Sequence, residues 1–373
     1  MMQISRQLDL RPLPKTMRSE FRDYSDYVGF LLEEVTEVIT NARDPARTTA
    51  YLPITTISSG YDSPACAVLG RLAGCREAIT FVTAREEYGA ESDSGLQIGK
   101  FLGLEVEEFD PMGYLERKDC PEIDFLATGY GGDDLIYSSA ERRLGARLLL
   151  TGYHGDKVWA RHNDSVSPNI VRGDPSGGSL AEFRLRVGFL NLPVPFIGCV
   201  NQSSIHGISN SEEMKPWRVP ATNYDRPIPR RIIEAAGVPR HLFGQRKKAA
   251  ARPVHTLGAT DTPLDQVLSP TTLHNFSQWA DRVPLFANVT DRLVCHLMRR
   301  LYWINQRALE SYRLGRFLRA LGSSMPKAPL IERKYSKPRT RHSLLFHWAN
   351  ETVKHRYVPT SGISSGGNAS NLN

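Results

Sequence analysis

Four short apolar runs of strand length, separated by helix-patterned stretches and polar loops, organise residues 54–151. The first opens at Ile54, and the others cover 78–83, 104–109 and 146–151. Between them, residues 64–72, 92–102 and 133–144 place apolar side chains at helical spacing. Strands alternating with helices of this length predict an α/β fold, a parallel sheet with helices on both faces and right-handed crossovers. In such a sheet a ligand sits at the carboxyl ends of the strands. Upstream, residues 16–42 read as one long helix leading into the core, with Phe21, Tyr24, Tyr27, Val28, Phe30, Leu31, Val35, Val38 and Ile39 at roughly helical spacing. Helical patterns return at 180–189 and 229–236, and repeatedly from 264 to 321. The expected organisation is a helical lead-in over 1–50, the α/β domain over 51–259 and a helical region with a basic tail over 260–358. A Gly/Ser/Asn-rich segment expected to be disordered covers 359–373.

At the end of the first run the chain reads Ser58-Ser59-Gly60-Tyr61-Asp62-Ser63-Pro64. A strand that turns tightly into a helix presents free N–H groups and the positive end of a helix dipole, which suits a phosphate. Ser58, Ser59 and Ser63 add hydroxyl donors, Gly60 permits close approach of an anion, and Asp62 suits a metal ion. Pro64 fits the first helical turn. The simpler reading is a strand-to-helix turn capped by Ser and Asp. The order Ser-x-Gly-x-Asp-Ser resembles the PP-loop of the ATP pyrophosphatases, which grips the pyrophosphate of ATP. Ser59 stands where that loop has a glycine. A Walker-type loop is excluded, because no Gly-Lys-Ser/Thr ends the turn.

The fourth run repeats this logic: Leu148-Leu149-Leu150-Thr151-Gly152-Tyr153-His154-Gly155-Asp156-Lys157 is an apolar strand, a glycine-flexed loop and an acid. Asp62 and Asp156 would then share one sheet rim, where two carboxylates suit a Mg²⁺ that bridges ATP phosphates. A third segment, Tyr224 to Ala249, starts a short helix at its prolines, ends it at Gly237, and continues through Val238-Pro239 and Phe243-Gly244 to Arg246-Lys247-Lys248. That cluster reads either as a solvated turn or as a cation beside a pyrophosphate leaving group.

In this order and spacing the three motifs resemble the synthetase domain of the asparagine synthetase family, over about 51–251. The resemblance implies an adenine nucleotide α-hydrolase-like fold and ATP-dependent, AMP-forming amide-bond synthesis through an acyl-adenylate. It further implies ATP held by Ser58, Ser59, Gly60, Tyr61, Asp62, Ser63 and Gly152, with adenine along the backbone of Phe81 to Thr83, centred on Val82. Mg²⁺ would be held by Asp62 and Asp156, and Lys247 would stabilise the adenylation and acyl-transfer transition states. The family's glutaminase domain has no counterpart, so ammonia, a separate glutaminase or an amine already on the substrate would serve. Where the family has a glutamate this chain has Tyr153, which resembles the β-lactam synthetases; Glu182 is the expected partner that assists amine deprotonation. Lys157 stands in place of the family's second acid.

Two other readings stand beside this one. Of the formal net charge of +7, most lies between Lys327 and Arg356, with eight basic residues against two acidic ones. Such a tail suits RNA, and with it a PP-loop enzyme that adenylates a base; the absence of CxxC pairs and the Gly237 to Lys247 segment argue against it. A solvated basic helix is the simpler account of the tail. Ser59 and Lys157 favour a non-catalytic nucleotide-binding protein. Five scattered cysteines make no metal ribbon or disulfide framework. No signal-like segment or spanning apolar run is seen, so no membrane contact and a cytoplasmic location are expected. Small carboxylate and amine molecules are the expected partners.

Overall fold

The structure is a computed structural model of the 373-residue chain. It describes residues 2–4, 9–12, 20–83, 92–128, 132–163, 166–168, 177–219, 224–246, 254, 263–283, 293 and 341–357.

A two-stranded antiparallel ribbon, β1 (Met2–Ile4) and β2 (Leu10–Pro12), comes first. The helix α1 (Tyr24–Ala42) follows. It starts later than its apolar pattern, because Asp23 caps it by accepting from the Asp26 amide at 2.8 Å. Tyr24, Tyr27, Leu31, Val35, Ile39 and Ala42 are buried at three- and four-residue spacing, which fastens one stripe of α1 to the core.

The core sheet has β3 (Leu52–Thr56), β4 (Glu77–Phe81), β5 (Glu105–Phe109), β6 (Arg147–Thr151) and β7 (Leu190–Pro193), all parallel, in the order β5-β4-β3-β6-β7. Ile54 lies opposite Glu77 on one side and Leu149 on the other. Leu148, Leu149 and Leu150 are almost wholly excluded from water. Each such side chain contributes about 1.5–3 kcal/mol of burial, which explains the near-continuous apolar run of β6. Helices α2 (Asp62–Leu72) and α3 (Leu96–Phe101) cross between the first three strands. In chain order the remaining helices are α4 (Glu122–Leu126), α5 (Gly155–Val158), α6 (Leu180–Val187), α7 (Gln202–Ser209), α8 (Pro227–Ala235), α9 (Pro270–Ala280) and α10 (Arg341–Val353). The fold is thus α/β, a parallel sheet with helices around it and a helical C-terminal part.

Several elements depart from the sequence reading. The helix expected from Ser92 begins only at Leu96, since Ser92 and Ser94 form single bridges with Thr83 and Ser58. Residues Leu135–Arg143 form a 3₁₀ helix rather than an α-helix. The strand β7 has only four residues and ends in Pro193, so it carries little strand signal and takes the sheet edge, where proline is tolerated. Gly188, at φ 77°, ends α6 and turns the chain into it. The expectations of further helices over 284–321 (Leu293 apart) and of a disordered 359–373 lie outside the described residues.

The chain divides into two compact units, Met1–Tyr114 with Gly132–Pro253, and Leu115–Gly131 with Val254–Asn373. The first carries the sheet. Within the second, α10 packs on α4 and α9. The buried Glu122 accepts from the Thr272 hydroxyl at 2.6 Å, and Ser269 caps α9 by accepting from the Thr272 amide at 3.3 Å. Buried Asp124 pairs with Arg356 at 2.6 Å. Leu344, Leu345, Trp348, Ala349 and Val353 are buried. The part of the basic stretch expected as a solvated helix is therefore, over α10, a packed one, while 327–340 lie outside the described residues. No helix among the described residues is long and apolar enough to cross a membrane.

Candidate functional site

Strand β3 pairs with β4 on one side and β6 on the other, so the connections leave it in opposite directions. This is the topological switch point of the sheet, and in open parallel sheets ligands bind at the carboxyl ends of the strands at such a point. The two glycine-containing loops singled out in the sequence follow β3 and β6.

The first loop is closed by its own hydroxyls. Ser58 Oγ and Ser63 Oγ lie 2.9 Å apart, and the Gly60 amide donates to Ser58 Oγ at 3.2 Å. Ser59 donates its amide to the Asp93 carbonyl at 3.0 Å and its hydroxyl to Asp93 Oδ1 at 2.7 Å. The side chain that replaces a glycine is thus tied to the neighbouring loop.

The second loop rests directly on the first. A Cβ at Gly152 would lie 2.6 Å from the Ser63 amide nitrogen, and one at Gly155 would lie 2.5 Å from Asp62 Oδ1. Only glycine permits this approach. Gly152, expected to contact ATP, therefore packs on the first turn of α2. Between the two glycines His154 takes a left-handed conformation, φ 63°, and stacks on Phe196 with ring centroids 4.6 Å apart. Asp156 follows in the first turn of α5, and Lys157 Nζ lies 3.8 Å from Asp156 Oδ2.

The third segment reaches the same loop. The Gly244 amide donates to the Ser59 carbonyl at 2.8 Å. Tyr61 is only 1% exposed, with the rings of Tyr224 and Phe243 at 4.8 and 6.0 Å and its hydroxyl bonded to Arg230. Its side chain is core; only its backbone belongs to the loop. Lys247 and Lys248 lie outside the described residues.

Sequence reasoning passed over Arg226, which belongs to the third segment and pairs with Asp62. Burial opposes its charge, but Asp62, Tyr224 and Asp156 outweigh burial and hold the guanidinium above its ordinary value. The segment is anchored next door. Fully buried Asp225 accepts from the Val219 amide at 3.0 Å and from Arg161 at 2.9 Å. The signal available was an arginine placed just before the Pro227 start of α8, beside a motif already judged to matter.

The carboxylate at the Tyr153 phenol is Asp134, not Glu182. The Tyr153 hydroxyl donates to Asp134 Oδ1 at 2.7 Å. Asp134 also accepts from the Gly177 amide at 3.0 Å, the Ser179 amide at 3.2 Å and the Ser179 hydroxyl at 2.7 Å. Ser179 immediately precedes α6, so its bonds to Asp134 hold the beginning of that helix at Tyr153. Glu182 sits one turn further on, half-buried. Burial pushes the Asp134 carboxyl up, only partly offset by these hydrogen bonds. Burial, then the Asp134 charge and Tyr137, push the Tyr153 phenol well up. The expected adenine contact at Val82 is half-buried, and its amide already donates to the Phe109 carbonyl at 3.0 Å.

Among the described residues no group of three or more His, Cys, Asp or Glu is placed to hold a metal alone. Two carboxylates completed by phosphate oxygens and water are the ordinary donor set of nucleotide-bound Mg²⁺, and Asp62 and Asp156 are the carboxylates that the two adjoining loops carry. No family model matches this chain, and no curated protein matches it.

Proposed function

We propose that this protein is an ATP-dependent, AMP-forming ligase that makes amide bonds through an acyl-adenylate. One observation carries the reading: three segments far apart in sequence meet on the Ser58–Ser63 loop, at the switch point of a parallel sheet. The loop hydroxyls and the first turn of α2 suit the pyrophosphate portion of ATP. Mg²⁺ held by Asp62 and Asp156 would neutralise the phosphates as the acyl-adenylate forms. Tyr153 takes the proton of the attacking amine as it passes its own to Asp134, to which its hydroxyl already donates. Lys247 is assigned to the transition-state charge by resemblance alone.

Pyrophosphate release from Mg-ATP, screened across carboxylic acids and amines, tests the reading. Release that depends on both acid and amine, and that falls at least about a hundredfold in Asp62→Asn, is expected. No release with any pair, together with no ATP binding, would remove it.

A second reading has a specific support: both acids already face cations, Asp62 with Arg226 and Asp156 with Lys157. ATP bound tightly without turnover would identify a nucleotide-binding protein instead.

A further inference from the structure

Arg226 holds the Asp62 carboxylate that a divalent ion shared with Asp156 would need. It pairs with Asp62, and its side chain is 7% exposed against 19% for Asp62. The neighbouring Asp156–Lys157 pair is longer and more open, at 3.8 Å and 28% and 34% exposed. An open pair of this kind exchanges its partner at little cost. A buried pair does not, because losing one member strands the other charge. A dication can therefore settle on Asp62 only if the guanidinium leaves, since the two cations repel and Asp62 cannot neutralise both.

The backbone around Arg226 is anchored near the loop. Asp225 fixes the backbone on one side of Arg226, and α8 fixes it on the other. Tyr224 holds the same segment against the loop: a Cβ at Gly60 would lie 3.3 Å from its hydroxyl, and the Arg226 guanidinium carbon lies 5.1 Å from its ring centroid. A side chain released from Asp62 thus remains beside the loop proposed to hold pyrophosphate.

We propose that Arg226 is a resident cation of this site, which a divalent ion displaces from Asp62 and which then binds an oxygen of the pyrophosphate portion of the nucleotide. Metal and phosphate binding are thereby coupled through one side chain, because phosphate stabilises the arrangement in which Asp62 is open to metal. The proposal rests on the assignment of Asp62 and Asp156 to a nucleotide-bound metal.

The test uses the full chain and two probes. Binding of Mn²⁺ alone is followed by the loss of its free-ion spin resonance signal, and binding of inorganic pyrophosphate alone by calorimetry. The parent is expected to bind Mn²⁺ alone only weakly, with Kd near or above about 1 mM. Arg226→Gln and the apolar Arg226→Met should bind Mn²⁺ at least about tenfold more tightly, and pyrophosphate at least about tenfold more weakly. Asp62→Asn in the Arg226→Gln background should abolish the Mn²⁺ gain. Mn²⁺ affinity within about twofold of the parent in folded variants would overturn the proposal. So would micromolar Mn²⁺ binding by the parent itself, a measurement that needs no variant to fold. The Mn²⁺ experiment contains no nucleotide and decides the exchange alone; whether the parent binds ATP decides the function it serves.

Discussion

The backbone amide of Gly244 donates to the carbonyl of Ser59 at 2.8 Å, and with φ +64° Gly244 lies flat against the ring of Tyr61. A Cβ there would stand 2.8 Å from Tyr61 Cδ1 and closer still to the next ring carbons. Gly244→Ala must both adopt a left-handed conformation and displace a fully buried ring. We expect a loss of about 1–3 kcal/mol in urea unfolding. ATP affinity should fall in parallel, since the ring underlies the loop.

Gly155 and Gly29 make a contrasting pair. A methyl group at Gly155 meets the Asp62 carboxylate, whereas one at Gly29, exposed in the middle of α1, meets nothing within 4 Å. Gly29→Ala should stabilise by about 0.5–1 kcal/mol through helix propensity alone. Gly155→Ala should destabilise and should abolish measurable nucleotide binding. Equal effects from the two substitutions would contradict the packing of the second loop on the first.

Ser59→Gly restores the residue that the PP-loop resemblance leads one to expect. It also removes the 2.7 Å bond to Asp93, a carboxylate that is 5% exposed. Stability should drop by about 1–2 kcal/mol, combining one hydrogen bond with added backbone freedom. ATP affinity should stay within about threefold, because the hydroxyl is committed to Asp93. A large gain in affinity would mean that the hydroxyl obstructs the anion.

Asp134 has a signed pH dependence. Its carboxyl is raised above 3.8 by burial, so its contribution to stability is greatest below that pH and is lost as pH rises through the raised value. Urea unfolding between about pH 4 and pH 8 should show the parent losing stability relative to Asp134→Asn as pH increases. The substitution carries a constant cost from the Ser179 and Gly177 bonds, so the slope, not the offset, is diagnostic. A parent advantage that grows with pH would contradict the burial account.

The parallel sheet and the two loops at its carboxyl rim followed from patterns that a sequence displays openly, namely the β-branched run at Ile54, the three leucines of β6 and the glycines that end them. What escaped notice had weak local signal. Leu190–Pro193 is too short and too proline-bound to announce a strand. Arg226 gains its importance only from Asp62, a contact between segments distant in sequence that no spacing rule encodes. Asp134 was overlooked for the same reason: the partner of Tyr153 was sought downstream, but the fold supplies it from upstream, through the bonds that gather Ser179 and Gly177. Motif order identified the loops, whereas the pairings of their charged groups needed tertiary structure.

The second unit borrows Leu115–Gly131 from the middle of the chain and completes it with residues that come after Val254. This has a consequence for synthesis on the ribosome. The segment containing Ile123, Phe125 and Leu126 emerges long before α9 and α10, the helices that join it. Until α9 and α10 have been made, that apolar turn lacks the described helices that pack on it. A nascent or prematurely ended chain therefore carries an adhesive patch even when its sheet is complete, and chaperone demand should peak in that interval.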